Sequence, residues 1–275
     1  MIDFKIDQNK CIQCGLCVTE CPVLIINGKS TFPEIKEGKE EQCIKCQHCL
    51  AICPTGALSI WGKNPDDSLP VDCDIPSPEQ MSNLIKTRRS IRRFSKKELD
   101  SSLVQDLLQT AHYAPSGHNK NAVMFSVTQS KADLLKLRER VYDAINTAHK
   151  NNTLPKNMLF LFDLYRLWNT KGIDVLFRDA PHVIMASAPQ NLVSPKTDCH
   201  VALSYFELLA NSQGIGILWN GFVKMILDTL SPEIKTQIGI PEDHVLGYVL
   251  LFGKPGVKFK RAVQKNEVSV NRIQL

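Results

Sequence analysis

Eight of the ten cysteines fall in two runs of one pattern. Cys11, Cys14, Cys17 and Cys21 are followed by Pro22, and Cys43, Cys46, Cys49 and Cys53 by Pro54. Each run spells C-x2-C-x2-C-x3-C-P, and the copies are offset by 32 residues. Four thiolates can hold a 4Fe–4S cubane, and in the bacterial arrangement with this spacing the fourth cysteine of each run serves the other cluster. One cluster is therefore expected on Cys11, Cys14, Cys17 and Cys53, and a second on Cys43, Cys46, Cys49 and Cys21. Structural zinc sites more often use well-separated C-x2-C pairs, and disulfide frameworks belong to secreted chains. The N-terminal Met-Ile-Asp-Phe-Lys-Ile-Asp lacks the apolar core of a signal peptide, so a reducing, cytoplasmic setting is expected. Cys73 and Cys199 lie outside the pattern and read as plain linker or buried thiols. The chemistry implied is one-electron transfer.

The residues around the cysteines fit a small fold that positions them. Gly15 lets the backbone curl around a cubane, and Pro22 and Pro54 end each run. Ile2–Ile6 alternates like a strand, with Ala57–Trp61 as its partner. Ile25-Ile26-Asn27-Gly28-Lys29 reads as a hairpin with an Asn-Gly turn. Residues 1–62 thus form one module, and they resemble clostridial-type two-cluster ferredoxins throughout.

The chain has 275 residues, enough for this module and one ordinary domain, and its 43% hydrophobic content can supply a core. Net charge is +5; residues 1–62 carry six lysines and seven acids, so the excess of basic residues lies in 63–275. It is modest and not interleaved with aromatics, which argues against a nucleic-acid partner and is compatible with an anionic cofactor. The most apolar run, Met158–Trp168, is too short and too charged to span a bilayer. Residues 63–78 contain Pro65, Pro70, Pro76 and Pro78 and read as a stiff linker, leaving 79–275 as the second domain.

Ser77-Pro78-Glu79 is a helix start, with a serine cap, proline at the first position and an acid in the first turn. The helix carries Met81, Leu84 and Ile85 toward Arg88. The segment Arg88-Arg89-Ser90-Ile91-Arg92-Arg93 can hold a phosphate by charge-assisted hydrogen bonds or be a solvated charged face. A helix over Asp100–Tyr113, with Leu103, Leu107, Leu108 and Ala111 on one face, ends in Ala114-Pro115-Ser116-Gly117-His118-Asn119. A helix over Asp198–Gln213 stops at Gly214 and leads into Ile215–Phe222. A strand over His244–Phe252 precedes Lys258, Lys260 and Arg261.

In order and spacing these pieces resemble the FMN-dependent nitroreductase family over about residues 80–275. The resemblance implies an α+β domain with a mixed central sheet that binds FMN and forms an intertwined homodimer. Arg88, Arg89, Ser90 and Arg92 would hold the flavin phosphate with Lys260 and Arg261. Leu218, Trp219, Asn220 and Gly221 would line the ring, with the Asn220 backbone N–H as the donor near N5. Pro115, Ser116, Gly117 and Asn119 match the family's Ala-Pro-Ser-x-x-Asn turn, and Pro115, Ser116 and Asn119 would reach the FMN of the partner subunit. The 198–213 helix would form a dimer core, and the tail 267–273 could add a strand to the partner's sheet. Where the family often continues with Gln-Pro-Trp, this chain has Asn121-Ala122-Val123, so substrate preference does not carry over.

The combined expectation is a flavin oxidoreductase that passes electrons from reduced ferredoxin or another low-potential donor, through two 4Fe–4S clusters, to FMN and a small organic acceptor. A rival is a non-catalytic electron-transfer or redox-sensing protein. No side-chain acid is obligatory; His112, Tyr113 and His118 could supply a proton, His112 and Tyr113 otherwise being helix-end packing residues. Asp163, Tyr165, Arg166 and Trp168 could form a lid over the flavin or belong to an ordinary surface helix. No G-x-G-x-x-G follows a strand, so a nicotinamide-binding Rossmann unit is absent from the reading.

Overall fold

The repeat in the cysteines is also a repeat in the backbone. Three pairs of residues, each offset by 32, take the left-handed conformation: Gln13 and Lys45 (φ 55° each), Gly15 and Gln47 (72° and 61°), and Leu24 and Gly56 (55° and 60°). This conformation costs a residue with a Cβ, and alternation with right-handed residues makes concavities of backbone N–H groups suited to anions. This computed structural model describes residues 2–28, 30–71 and 74–275; Lys29 of the expected hairpin and Cys73 lie outside the described residues. Contacts divide the chain into two units, residues 1–75 with 118–120, and residues 76–117 with 121–275.

The first unit contains β1 (Phe4–Ile6), α1 (Leu16–Thr19), β2 (Ile26–Asn27), β3 (Glu34–Ile35), α2 (His48–Ala51) and β4 (Leu58–Ile60). β1 and β4 pair antiparallel, Phe4 opposite Ile60, as the alternation predicts. β2 pairs with β3 rather than turning at Asn27-Gly28, so the hairpin loop is longer than the expected two residues. Gly28 serves close approach instead: a Cβ there would stand 2.7 Å from the Phe32 carbonyl oxygen. The tight turn lies at Trp61-Gly62, both left-handed, where Ile60 and Lys63 bridge. Ile25, Ile26, Leu50, Leu58 and Ile60 form the core with Cys21 and Cys49.

The second unit begins with α3 (Pro78–Thr87), whose start carries both hydrogen bonds of a capping box between Ser77 and Gln80. There follow α4 (Ser101–Ala111), β5 (Met124–Val127), α5 (Lys131–Lys150), α6 (Phe160–Lys171), β6 (His182–Pro189), α7 (Pro195–Ser212), β7 (Gly216–Trp219), α8 (Gly221–Thr229), α9 (Glu233–Gln237) and β8 (His244–Gly253). The sheet order is β5-β6-β8-β7. Its four strands pair antiparallel, and the parallel step comes from the bridge between Ser90 and Ile217.

Both faces of this sheet are covered, which is why β6 and β8 read as almost continuously apolar. Val183, Met185, Val249 and Leu251 pack toward α5, α6 and α8, whereas Ile184, Ala186, Leu250 and Phe252 pack toward α4 and α7. A bulge at Ala186/Ser187 leaves Gly247 out of register, and a Cβ there would come within 2.2 Å of the Cys199 Cβ. α7 therefore sits hard against β8. Its apolar residues Ala202, Leu203, Phe206 and Ala210 are buried within the chain. The tail beyond Arg261 is exposed and without regular structure. Among the described residues, no helix is long and apolar enough to cross a membrane.

Candidate functional site

Two cavities in the first unit sort the cysteines. One is lined by Cys11, Cys14, Cys17 and Cys53 with Ile6, Leu16 and Leu58. The other is lined by Cys21, Cys43, Cys46 and Cys49 with Ile25, Ile26 and Ile60. Each fourth cysteine has crossed to the other run's cavity, as the spacing predicts. The thiols line walls and do not converge on a point; among the described residues, no three His, Cys, Asp or Glu side chains could share one metal ion. Four soft donors around an apolar cavity suit a polynuclear iron–sulfur cluster.

Burial pushes the Cys17 thiol up and the Cys49 thiol to about 12, because a low-dielectric surrounding disfavours the thiolate. Burial also raises Cys53, but hydrogen bonds from Ala57 and Thr55 prevail and lower it. The Ala57 N–H donates to Cys53 Sγ at 3.2 Å, a contact that would stabilise a thiolate ligand. Cys199 differs: it is buried against β8 and pushed up to about 12 by burial, as a plain core thiol should be.

In the second unit the arginine segment lies between two other predicted pieces. Ser90 bridges to Ile217 of β7, and Phe94 bridges to Pro255 beyond β8. The Gly256 N–H donates to the Arg93 carbonyl at 2.8 Å, and Arg89 lies over the Phe259 ring at 5.9 Å. This brings Arg89 beside the neighbours of Lys260 and Arg261, which are exposed. Arg88 is engaged elsewhere: its Nη1 donates to Glu207 Oε1 at 3.0 Å, and Trp219 Nε1 donates to Glu207 Oε2 at 3.0 Å. Trp219 packs edge-on against Tyr248 at 5.0 Å.

A groove of about 450 Å³ joins Arg92 to Leu218, Trp219, Asn220 and Gly221, and adds Val175, Leu176, Arg178, Phe222 and Met225. Its volume is typical of small-molecule sites, which run ~300–1,000 Å³. It has apolar walls, the guanidinium of Arg92 and no acid, a composition that fits an anionic, largely apolar cofactor. The Asn220 backbone N–H is not available to a ligand, contrary to expectation, because it donates to the Val249 carbonyl at 2.8 Å. The Asn220 side chain is also fixed, with Nδ2 donating to the Leu176 carbonyl at 2.9 Å and Oδ1 capping Val223. The N–H groups that helix geometry leaves without intrahelical partners are those of Gly221 and Phe222, in the first turn of α8.

The remaining predicted residues lie outside this groove. Pro115 and Ser116 line a small cavity with His112 and Asp198. The Gly117 N–H donates to both oxygens of Asp198, and a Cβ at Gly117 would meet Ser194 Oγ at 2.5 Å. Asn119, grouped with the first unit, donates from Nδ2 to the Ile44 carbonyl at 3.0 Å. Tyr113 is 87% exposed and not a packing residue. Trp168 stacks on Tyr142 at 5.2 Å while Asp163 and Arg166 face solvent, so α6 is a packed amphipathic helix. Sequence reading missed Glu207 and the segment Val175–Arg178, which reach the site through contacts with distant parts of the chain.

The profile of the Nitroreductase family matches residues 85–254, and that of a 4Fe-4S dicluster domain matches residues 10–58. A Methanothermobacter thermautotrophicus protein named as an NADH dehydrogenase/NAD(P)H nitroreductase is 26% identical over 176 residues, covering 62% of this chain and 75% of its own. A Bacteroides fragilis nitroreductase crystallised with FMN has the same fold, with a TM-score of 0.58 and 23% identity, over 70% of this chain and 99% of its own. A Desulfitobacterium hafniense nitroreductase with bound FMN gives 0.54 and 21%, over 70% and 98%. With a match that spans more than half of its length, the chain belongs to the Nitroreductase family and carries a 4Fe-4S dicluster domain ahead of it.

Proposed function

We propose that this protein is a flavin oxidoreductase with a built-in electron relay, which takes electrons from reduced ferredoxin or a similar low-potential donor and delivers them to a small organic acceptor, a nitroaromatic or related compound. When bound, two 4Fe–4S clusters supply single-electron carriage and FMN supplies hydride transfer. The observation that carries the reading is the crossed sorting of the cysteines into two four-thiol cavities. In this reading residues 1–62 are the ferredoxin domain, 63–78 the linker and 79–275 the flavin domain.

Cys11, Cys14, Cys17 and Cys53 would hold one cluster, and Cys43, Cys46, Cys49 and Cys21 the other. Arg89, Ser90 and Arg92 would grip the flavin phosphate with Lys260 and Arg261, while Arg88 is tied to Glu207. Leu218 to Gly221 would lie along the ring, and the first N–H groups of α8 would stabilise negative charge there, in place of the Asn220 N–H. Pro115, Ser116 and Asn119 would face the flavin of the partner subunit in a homodimer. The groove is open at the surface and lined by Leu218, Phe222 and Met225, which suits turnover of a diffusible acceptor better than a sealed relay.

The test is anaerobic purification followed by mixing with reduced ferredoxin. About eight irons, eight labile sulfides and one FMN per chain are expected, with flavin reduction by ferredoxin and reoxidation by a nitroaromatic. Zinc in place of iron, or no bound flavin, would overturn the reading. Flavin reduction with no turnover of any acceptor would favour the relay or sensor alternative.

A further inference from the structure

We propose that the loop Asp174–Asp179 is the acceptor-recognition element of the groove and that Arg178 takes the carboxylate of an aromatic acid acceptor; this rests on the flavin reading above. Arg178 (φ 55°) and Asp179 (φ 51°) are consecutive non-glycine residues in the left-handed region. Such a conformation persists only where its surroundings hold it, and it clusters at ligand sites. Here a buried network does the holding. The Asp174 carboxylate accepts from the N–H groups of Phe177 (2.9 Å) and Asp179 (3.2 Å) and from the Tyr142 hydroxyl (3.0 Å). The Tyr142 oxygen accepts from the Leu176 N–H at 3.2 Å. Arg138 closes the network, 3.2 Å from Asp174 and 3.3 Å from Asp179.

Asp174, Leu176, Phe177 and Asp179 are fastened, whereas the Arg178 side chain is not. Leu176 and Phe177 are buried, and the Leu176 carbonyl is tied to Asn220. Arg178 is half-buried and lines the groove, and among the described residues it makes no ion pair or side-chain hydrogen bond. Arg92, the other cation there, comes from the segment assigned to the flavin phosphate. Arg178 comes from a separate element and shares the groove with Val175, Phe222 and Met225. A planar guanidinium pairs bidentately with a carboxylate, and the apolar neighbours suit an aromatic body.

The experiment is equilibrium binding of benzoate and of benzamide to the oxidised, flavin-loaded full chain, followed by the change in flavin absorbance. Benzoate should bind more tightly than benzamide. Arg178→Gln should weaken benzoate at least tenfold, leave benzamide unchanged and leave flavin content unchanged, and Arg178→Lys should restore part of the benzoate affinity. Equal weakening of both ligands, no preference for benzoate in the unmodified chain, or loss of flavin from Arg178→Gln would overturn the assignment. Absence of flavin from the unmodified chain would overturn the flavin reading itself, a separate and visible result.

Discussion

Arg88 and Glu207, 119 positions apart, form an ion pair at 3.0 Å, and the same carboxylate holds the indole of Trp219. The carboxylate is buried while Arg88 is partly exposed, so Glu207 is the member that suffers if the pair is broken. Arg88→Ala should lower the stability of the second unit by about 1–3 kcal/mol, the usual cost of a buried group left short of a charged partner. Arg92 is exposed and lies on the groove. Arg92→Ala should change stability by no more than ~0.5 kcal/mol yet weaken FMN about ten- to a hundredfold. Urea midpoints and flavin retention on dilution separate the two effects. A large stability loss from Arg92→Ala, or none from Arg88→Ala, would reverse the roles assigned to them.

The cysteine cavities make a prediction about pairs. Cys53 and Cys11 line one cavity, whereas Cys53 and Cys49 line different ones. Serine is a poor ligand for iron, so each single Cys→Ser should cost about half the iron. Cys11→Ser with Cys53→Ser should lose no more than either alone, while Cys49→Ser with Cys53→Ser should lose nearly all, because only contacting groups couple. Cys199→Ser should leave iron unchanged. The iron-to-protein ratio of anaerobically reconstituted variants decides; additive loss within the first pair would refute the crossed arrangement.

What the sequence disclosed and what it hid follow from the range of the interactions. The cysteine runs, the Ser77 cap and the alternation of β1 depend on neighbours within a few residues, and each is visible in a short window. Glu207 reads as one polar residue on an apolar helix; its role depends on Arg88 and Trp219, brought together only by the sheet. Asp174 and Arg178 are equally silent, since their meaning comes from Arg138 and Tyr142 on α5. In the sequence the Asn220 N–H reads as free for a ligand because its acceptor, Val249, belongs to a strand later in the chain. Asn27-Gly28 misled for a related reason: the strong local turn preference yields to pairing with Glu34-Ile35.

His182 gives a pH dependence. It is 3% exposed, and its Nε2 accepts from the Leu99 N–H at 2.9 Å, which places the neutral ring's proton on Nδ1. Burial lowers its pKa, partly opposed by Thr128 and Glu98. The unfolded chain, with a histidine near 6.5, therefore binds the proton first as pH falls. The stabilising contribution is complete above about pH 6.5 and is lost progressively as pH drops through that value toward the lowered folded pKa. Urea midpoints compared at about pH 7.5 and about pH 5.5, either side of that value, should fall in the unmodified chain and fall less in His182→Gln. An equal fall in both would assign the acid sensitivity to other groups.

The relay itself is tested by cutting the chain before Pro76. The three apolar cores do not cross that point: one lies within residues 1–75 and the other two beyond it. The shortened chain should therefore fold and keep FMN, with change confined to the turn 118–120 that groups with the removed unit. Low-potential ferredoxin clusters lie near about −400 mV within a wide range, and each 30 mV of drop toward a two-electron acceptor is worth about 1.4 kcal/mol. Electron flow toward a flavin of higher potential is thus favourable by itself, and in the proposed relay residues 1–75 would add a route. The expected result is that dithionite reduces the flavin of both chains, whereas reduced ferredoxin reduces the full chain rapidly and the shortened chain slowly or not at all. Equal rates from ferredoxin would mean that electrons reach the flavin without the cysteine-bound clusters, leaving those clusters a structural or sensing role.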